Sequence, residues 1–150
     1  MSPVPITLLV ADDDEDDRDM IREAMVESRV ANDLRFVEDG RDLLDYLRRR
    51  GRYAAPGAAP RPGLILLDLN MPRMDGREAL AAIKIDPSLR SIPVVVLTTS
   101  KAEEDVARSY DLGANSFITK PVTFAGLVTI LGEMGRYWLQ IVQLPPVEAT

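Results

Sequence analysis

Four apolar runs in this chain end on side chains able to do oxygen or nitrogen chemistry. "ITLLVA" is followed by Asp12, Asp13 and Asp14, "LILL" by Asp68, "VVVL" by Thr98 and Thr99, and "SFI" by Thr119 and Lys120. A carboxylate closing a buried strand is costly unless it is used, because an unpaired charge is expensive to remove from water. Carboxylates gathered at one place repel one another unless protonated or bridged by a cation. Hard oxygen ligands with open positions for water suit Mg²⁺. A dianionic phosphoryl group is the natural further ligand, since the metal, a lysine ammonium and a threonine hydroxyl can then neutralise its oxygens.

Such chemistry needs elements that bring distant residues together. "ITLLVA" (6–11), "LRFVE" (34–38), "GLILLDL" (63–69), "IPVVVLT" (92–98) and "SFIT" (116–119) read as strands, being short and apolar or β-branched between polar residues. Between and after them lie "DRDMIREAMVES", "GRDLLDYLRRR", "GREALAAIKI", "AEEDVARSYDLG" and "FAGLVTILGEMGRYWLQIV", with apolar residues at three-and-four spacing. Those are amphipathic helices. Five βα units with apolar central strands predict an α/β fold: a doubly wound parallel sheet with helices on both faces and right-handed crossovers. In such a sheet ligands bind outside the carboxyl ends of the strands, where the four groups above gather. "GRYAAPGAAPRPG" (51–63) reads as a loop between the second helix and the third strand.

Composition narrows the chemistry. The 150 residues contain no histidine and no cysteine, which removes imidazole bases, thiolate nucleophiles, disulfides and Cys-ligated zinc. Carboxylates, hydroxyls and lysine must carry any reaction. A hydrophobic content of 46% at this length suits one well-buried domain. The net charge of -6 argues against a nucleic-acid partner, and "RRRGR" (48–52) reads as cations at a helix C-terminus before a glycine stop. The opening segment lacks a signal-peptide pattern, and no run approaches the roughly 20 apolar residues of a membrane span. A cytoplasmic protein with no membrane partner is expected.

Four motifs in order, "LLVADDD", "LILLDLNMPRMDG", "VVVLTTS" and "FITKP", resemble those of two-component response-regulator receiver domains. The resemblance covers about residues 6–136. Within the family the chain looks most like the single-domain regulators paired with phytochrome histidine kinases, through "DYLRRRGRYA", "LTTSKAEEDVARSYDLGANSFITKPV" and "YWLQIVQLP". The resemblance implies a flavodoxin-like strand order 2-1-3-4-5. It makes Asp68 the acceptor of a phosphoryl group from a phosphohistidine, supplied by a histidine kinase or phosphotransfer protein. Mg²⁺ would be held by Asp13, Asp68 and the Asn70 backbone carbonyl, with Asp12 acting through a water. Lys120 would pair with Asp68 and then with the phosphoryl group, the Thr98 hydroxyl would bond a phosphoryl oxygen, and Phe117 would be the aromatic switch residue. The Lys120–Pro121 bond would be cis. The protein would be no enzyme beyond assisting its own phosphorylation and dephosphorylation, and with no output domain it would signal by protein contact or phosphorelay.

Other readings compete. Asp14, Glu15, Asp16 and Asp17 read as caps and charges of the first helical turn. "RMDG" reads as the turn opening the third helix, without chemistry. "VADDD" also fits a haloacid-dehalogenase-type Mg²⁺ phosphatase using Asp12 and Asp14, but that chemistry needs an acidic metal ligand late in the chain and no aspartate follows Asp111. A phosphorylation-independent binding module is the third class. Residues 137–150 read as an extension that makes the protein a homodimer, because the apolar stripe Phe124, Leu127, Leu131, Met134, Trp138, Ile141 outruns the sheet. Tyr137, Trp138, Ile141, Val142 and Leu144 would overhang as an apolar patch that a second copy covers.

Overall fold

The computed structural model describes residues 6–30, 32–99 and 102–138. Strands and helices alternate as β1 (Thr7–Ala11), α1 (Glu15–Glu27), β2 (Asp33–Val37), α2 (Gly40–Arg48), β3 (Pro62–Leu67), α3 (Gly76–Ile85), β4 (Val94–Thr98), α4 (Glu103–Asp111), β5 (Ser116–Thr119) and α5 (Phe124–Arg136). The sheet order is β2-β1-β3-β4-β5, with every pair parallel. Every residue of β1, β3 and β4 is buried, which is why these strands are apolar but for Thr7 and Thr98 at their ends. The edge strands β2 and β5 are partly exposed and tolerate Asp33, Arg35 and Ser116.

Side chains alternate across the strands, so each central strand feeds two cores. Leu9, Ala11, Ile65, Leu67, Val94 and Val96 meet Leu43 and Leu44 of α2 and Leu80 and Ile83 of α3. Their neighbours Leu8, Val10, Leu64, Leu66, Val95 and Leu97 meet Ile21 and Met25 of α1 and Leu127 and Leu131 of α5. A one-residue slip of any central strand would exchange these sets, so burial itself fixes the register.

Four of the five helix starts are capped by side chains at the sheet's carboxyl edge, α4 being the exception. Asp14 caps α1, Asp39 caps α2, Asp75 caps α3 and Thr123 caps α5, each accepting backbone N–H groups of the first turn. Helix α2 stops two residues earlier than a glycine stop at Gly51 requires, because Arg49 itself takes the left-handed cap conformation at φ 54°. Arg29 does the same after α1, at φ 62°. The basic cluster is then spent locally, Arg48 against Asp86 at 3.6 Å and Arg52 against Asp42 at 2.8 Å. The loop after it is packed: Tyr53 and Ala59 are buried, and the Tyr46 hydroxyl donates to the Pro60 carbonyl at 2.8 Å.

Leu127, Leu131 and Met134 hold α5 to the sheet, and the helix continues in a wider turn through Tyr137 and Trp138. Tyr137 is 53% exposed, as an overhang requires. Trp138 differs from expectation: it packs in part on its own core beside Met134, with its ring edge-on to Tyr137 at 5.5 Å. Ile141, Val142 and Leu144 lie outside the described residues.

Candidate functional site

The ladder positions the acids. Ala11 is in register with both Val37 and Leu67, so Asp12 and Asp68 leave adjacent strands at the same level. Each backbone makes one further ladder bond, Asp12 N–H to Val37 O at 3.1 Å and Asp68 N–H to Ala11 O at 3.0 Å. Thr98 and Thr119 are likewise paired, and Lys120 N–H donates to Thr98 O at 2.6 Å. The last rung of the sheet therefore carries Asp12, Asp68, Thr98 and Lys120 on one edge.

Asp12, Asp68, Thr98 and Lys120 are all buried, whereas Asp13 is exposed. Asp68 Oδ1 accepts the Thr98 hydroxyl at 2.9 Å and the Asn70 N–H at 3.3 Å. Asp12 Oδ1 accepts the Asp14 N–H at 3.0 Å, and Arg18 Nη1 donates to the Asp12 carbonyl at 2.8 Å. Carboxylate oxygens of Asp12, Asp13 and Asp68 lie within 4.8 Å of one another. That spacing, with an exposed member open to solvent, fits an oxygen-bound divalent cation.

Lys120 departs from the expected pairing. Its Nζ lies 2.8 Å from Asp12 Oδ2 and 3.0 Å from Asp17 Oδ2, but 3.7 Å from Asp68 Oδ2. Burial alone would lower the Lys120 pKa, but the bond to Asp12 and the charges of Asp12, Asp68 and Asp17 raise it well above the ordinary lysine value. For Asp12 burial wins: desolvation raises its pKa despite the Lys120 bond, and the Asp68 charge adds to the rise. The expected cis bond is absent, since every peptide bond among the described residues is trans. The trans form, the preferred one for X-Pro, already lets the four-carbon stem of Lys120 reach the acids.

Phe117 projects from β5 into the core beside α3 and is partly buried, and its N–H donates to the Tyr110 hydroxyl at 3.2 Å. Asp14 is an N-cap, its Oδ1 taken by the N–H groups of Asp16 and Asp17. Asp17 does more than charge the helix, because it faces Lys120 from one turn into α1. Also unforeseen is the contact of Arg73, in the loop after Asp68, with Asp39 at the start of α2.

Residues 8–132 match the model of the response regulator receiver domain. The chain is 42% identical over 144 residues to response regulator Rcp1 of Synechocystis sp., covering 96% of this chain and 95% of that protein. The structure of the phosphorylated cyanobacterial phytochrome response regulator RcpA matches with a TM-score of 0.87 at 43% identity, over 95% of this chain and 99% of that one. The Mn(2+)-bound form of Rcp1 matches with a TM-score of 0.86 at 40% identity, over 95% and 100% of the two chains.

Proposed function

This chain belongs to the response-regulator receiver domain family, and from that premise we propose that Asp68 is its phosphoacceptor. One observation carries the reading: Asp68 lies within 4.8 Å of the Asp12 and Asp13 oxygens and is flanked by the Thr98 hydroxyl and the Lys120 ammonium. An Asp68 oxygen attacks the phosphorus of a phosphohistidine on a histidine kinase or phosphotransfer protein. The P–N bond breaks, and the imidazole keeps the electron pair and takes a proton from solvent. Asp13, Asp68 and the Asn70 carbonyl are the groups to hold Mg²⁺, with Asp12 acting through a water. A bound Mg²⁺ would supply the charge neutralisation that phosphoryl transfer needs. Thr98 Oγ1 gives up Asp68 Oδ1 to bond the new phosphoryl oxygens, and Lys120 crosses from Asp12 towards them. Phe117, three residues before Lys120 on β5, is the aromatic switch residue of this reading.

The histidine-free composition fits a reaction whose histidine comes from the partner. A phytochrome kinase is the favoured partner, because the relatives at 42% and 43% identity include a cyanobacterial phytochrome response regulator. The cytoplasm, where ATP charges such a kinase, is the corresponding location. The haloacid-dehalogenase alternative is not favoured: Asp14, its acid/base, is occupied in capping α1. A homodimer formed through Tyr137, Trp138 and the residues after them also belongs to this reading. The exposed Tyr137 ring supports it.

Incubation with acetyl phosphate and Mg²⁺ should add one phosphoryl group by intact mass, and none to Asp68→Asn or in EDTA. Labelling that survives either change overturns the assignment.

A further inference from the structure

The loop from Asn70 to Asp75 is fastened at both ends. At its exit, Gly76 N–H donates to Leu69 O at 2.8 Å, and a Cβ on Gly76 would lie 2.2 Å from the Asp68 carbonyl oxygen. In its middle the loop is tied to another element altogether. Arg73 Nε donates to Asp39 Oδ2 at 2.7 Å, and Gly40 N–H donates to Met74 O at 2.8 Å. A side chain on Gly40 would meet that same oxygen at 2.4 Å, so only glycine lets α2 come this close.

The acid in this tie is no surface charge. Asp39 is 3% exposed and caps α2 by accepting the Asp42 N–H at 2.7 Å. Arg73, whose side chain is 63% exposed, reaches it from a left-handed backbone conformation, φ 64°, that is uncommon for an arginine. Asn70, whose backbone carbonyl is the metal ligand in the reading above, lies three residues before Arg73 on the same loop. Its own N–H is held by Asp68, but the direction of its carbonyl depends on where the rest of the loop is anchored.

We propose that Arg73 and Asp39 are positioning residues for the divalent cation: their ion pair anchors the β3–α3 loop to the α2 N-cap and so aims the Asn70 carbonyl at the site. This rests on the metal assignment above. The pair touches neither the metal nor the phosphoryl group. Its effect is therefore on cation affinity, and through affinity on phosphorylation at limiting Mg²⁺.

The test measures the Mg²⁺ Kd by calorimetry, at a temperature well below every variant's Tm. Asp39→Asn keeps a capping side chain and loses the charge, Arg73→Gln loses the charge from the other side, and Arg73→Lys restores it. Each neutral variant should bind Mg²⁺ about three- to tenfold more weakly, below the roughly 10- to 100-fold effect of partners that hydrogen-bond a ligand directly, because this pair acts through the loop. The double variant should lose no more than either single one, and Arg73→Lys should recover part of the loss. Wild-type affinity in both neutral variants, or losses that multiply in the double variant, overturns the inference. Asp13→Asn separates it from its premise. If wild type binds, Asp13→Asn does not and the Arg73 and Asp39 variants bind like wild type, only the positioning role fails. If wild type binds no Mg²⁺, the metal assignment fails and takes this inference with it.

Discussion

Lys120 is the only counter-cation that the described contacts give to Asp12, whose side chain is 2% exposed. Replacing it with methionine keeps the stem and leaves a buried carboxylate without its partner. Lys120→Met should cost about 3 kcal/mol at neutral pH in EDTA, the range for breaking a buried pair from one side. Urea unfolding checks this, and added Mg²⁺ should restore part of the loss. The pair also sets an alkaline limit. Because the folded Lys120 pKa is raised, its contribution is fully present below the unfolded value of 10.5 and disappears as pH rises through the folded one. Much of this site was legible in the sequence. Asp12, Asp68, Thr98 and Lys120 each follow or close an apolar strand, and parallel strands bring such ends to one edge. Asp17 and Arg73 were not, because which helical carboxylate faces a lysine, or which loop arginine meets an N-cap, depends on how separate elements approach.

Among the elements, α2 and the loop after β3 are tied to each other beside the site, by Arg73 to Asp39 and by Gly40 N–H to Met74 O. Burial alone would raise the Asp39 pKa, but the Asp42 N–H, Arg73 and the Arg41 N–H together hold it below its ordinary 3.8. The sign follows: its contribution is present above the unfolded value and is lost as pH falls through the folded one. Asp39→Asn should therefore lower Tm at neutrality and flatten the acid limb of Tm against pH, the two curves converging below about 4. Gly76 is the second point of coupling. Gly76→Ala should cost about 2 kcal/mol or more, as forced overpacking does, and should slow acetyl-phosphate labelling because the clash displaces the Asp68 backbone. Urea unfolding and intact mass report the two effects. Apart from the far end of α5, element boundaries were legible to within a residue or two because burial follows the apolar pattern. Where they differ, a local cause is visible: "IPVVVLT" begins its paired strand only at Val94, since Pro93 has no N–H to give.

On the scale of the whole molecule, the two-sided core explains why the helix faces could be anticipated, and the strand order followed from the family resemblance, while the far end of α5 was legible from neither. An apolar stripe does not say whether its own domain or a second copy covers it, and Trp138 is partly covered by its own. Removing residues 139–150, which spares Trp138, should convert a dimer to a monomer in sedimentation equilibrium while leaving Tm nearly unchanged. A wild type that sediments as a monomer at tens of micromolar, phosphorylated or not, ends the dimer proposal. The left-handed arginines carry a different consequence. Arg29, Arg49 and Arg73 occupy conformations in which glycine avoids a penalty of about 1 kcal/mol each. Arg49 and Arg73 use their side chains, on Ala59 and Asp39, whereas Arg29 is exposed beyond the end of α1. Arg29→Gly should therefore raise stability by about 0.5 kcal/mol or more at no cost to the phosphorylation chemistry. Position 29 is then a source of mutational tolerance: a chain carrying glycine there could accept changes around Asp68 that new partners select, changes that would leave the present sequence too little folded.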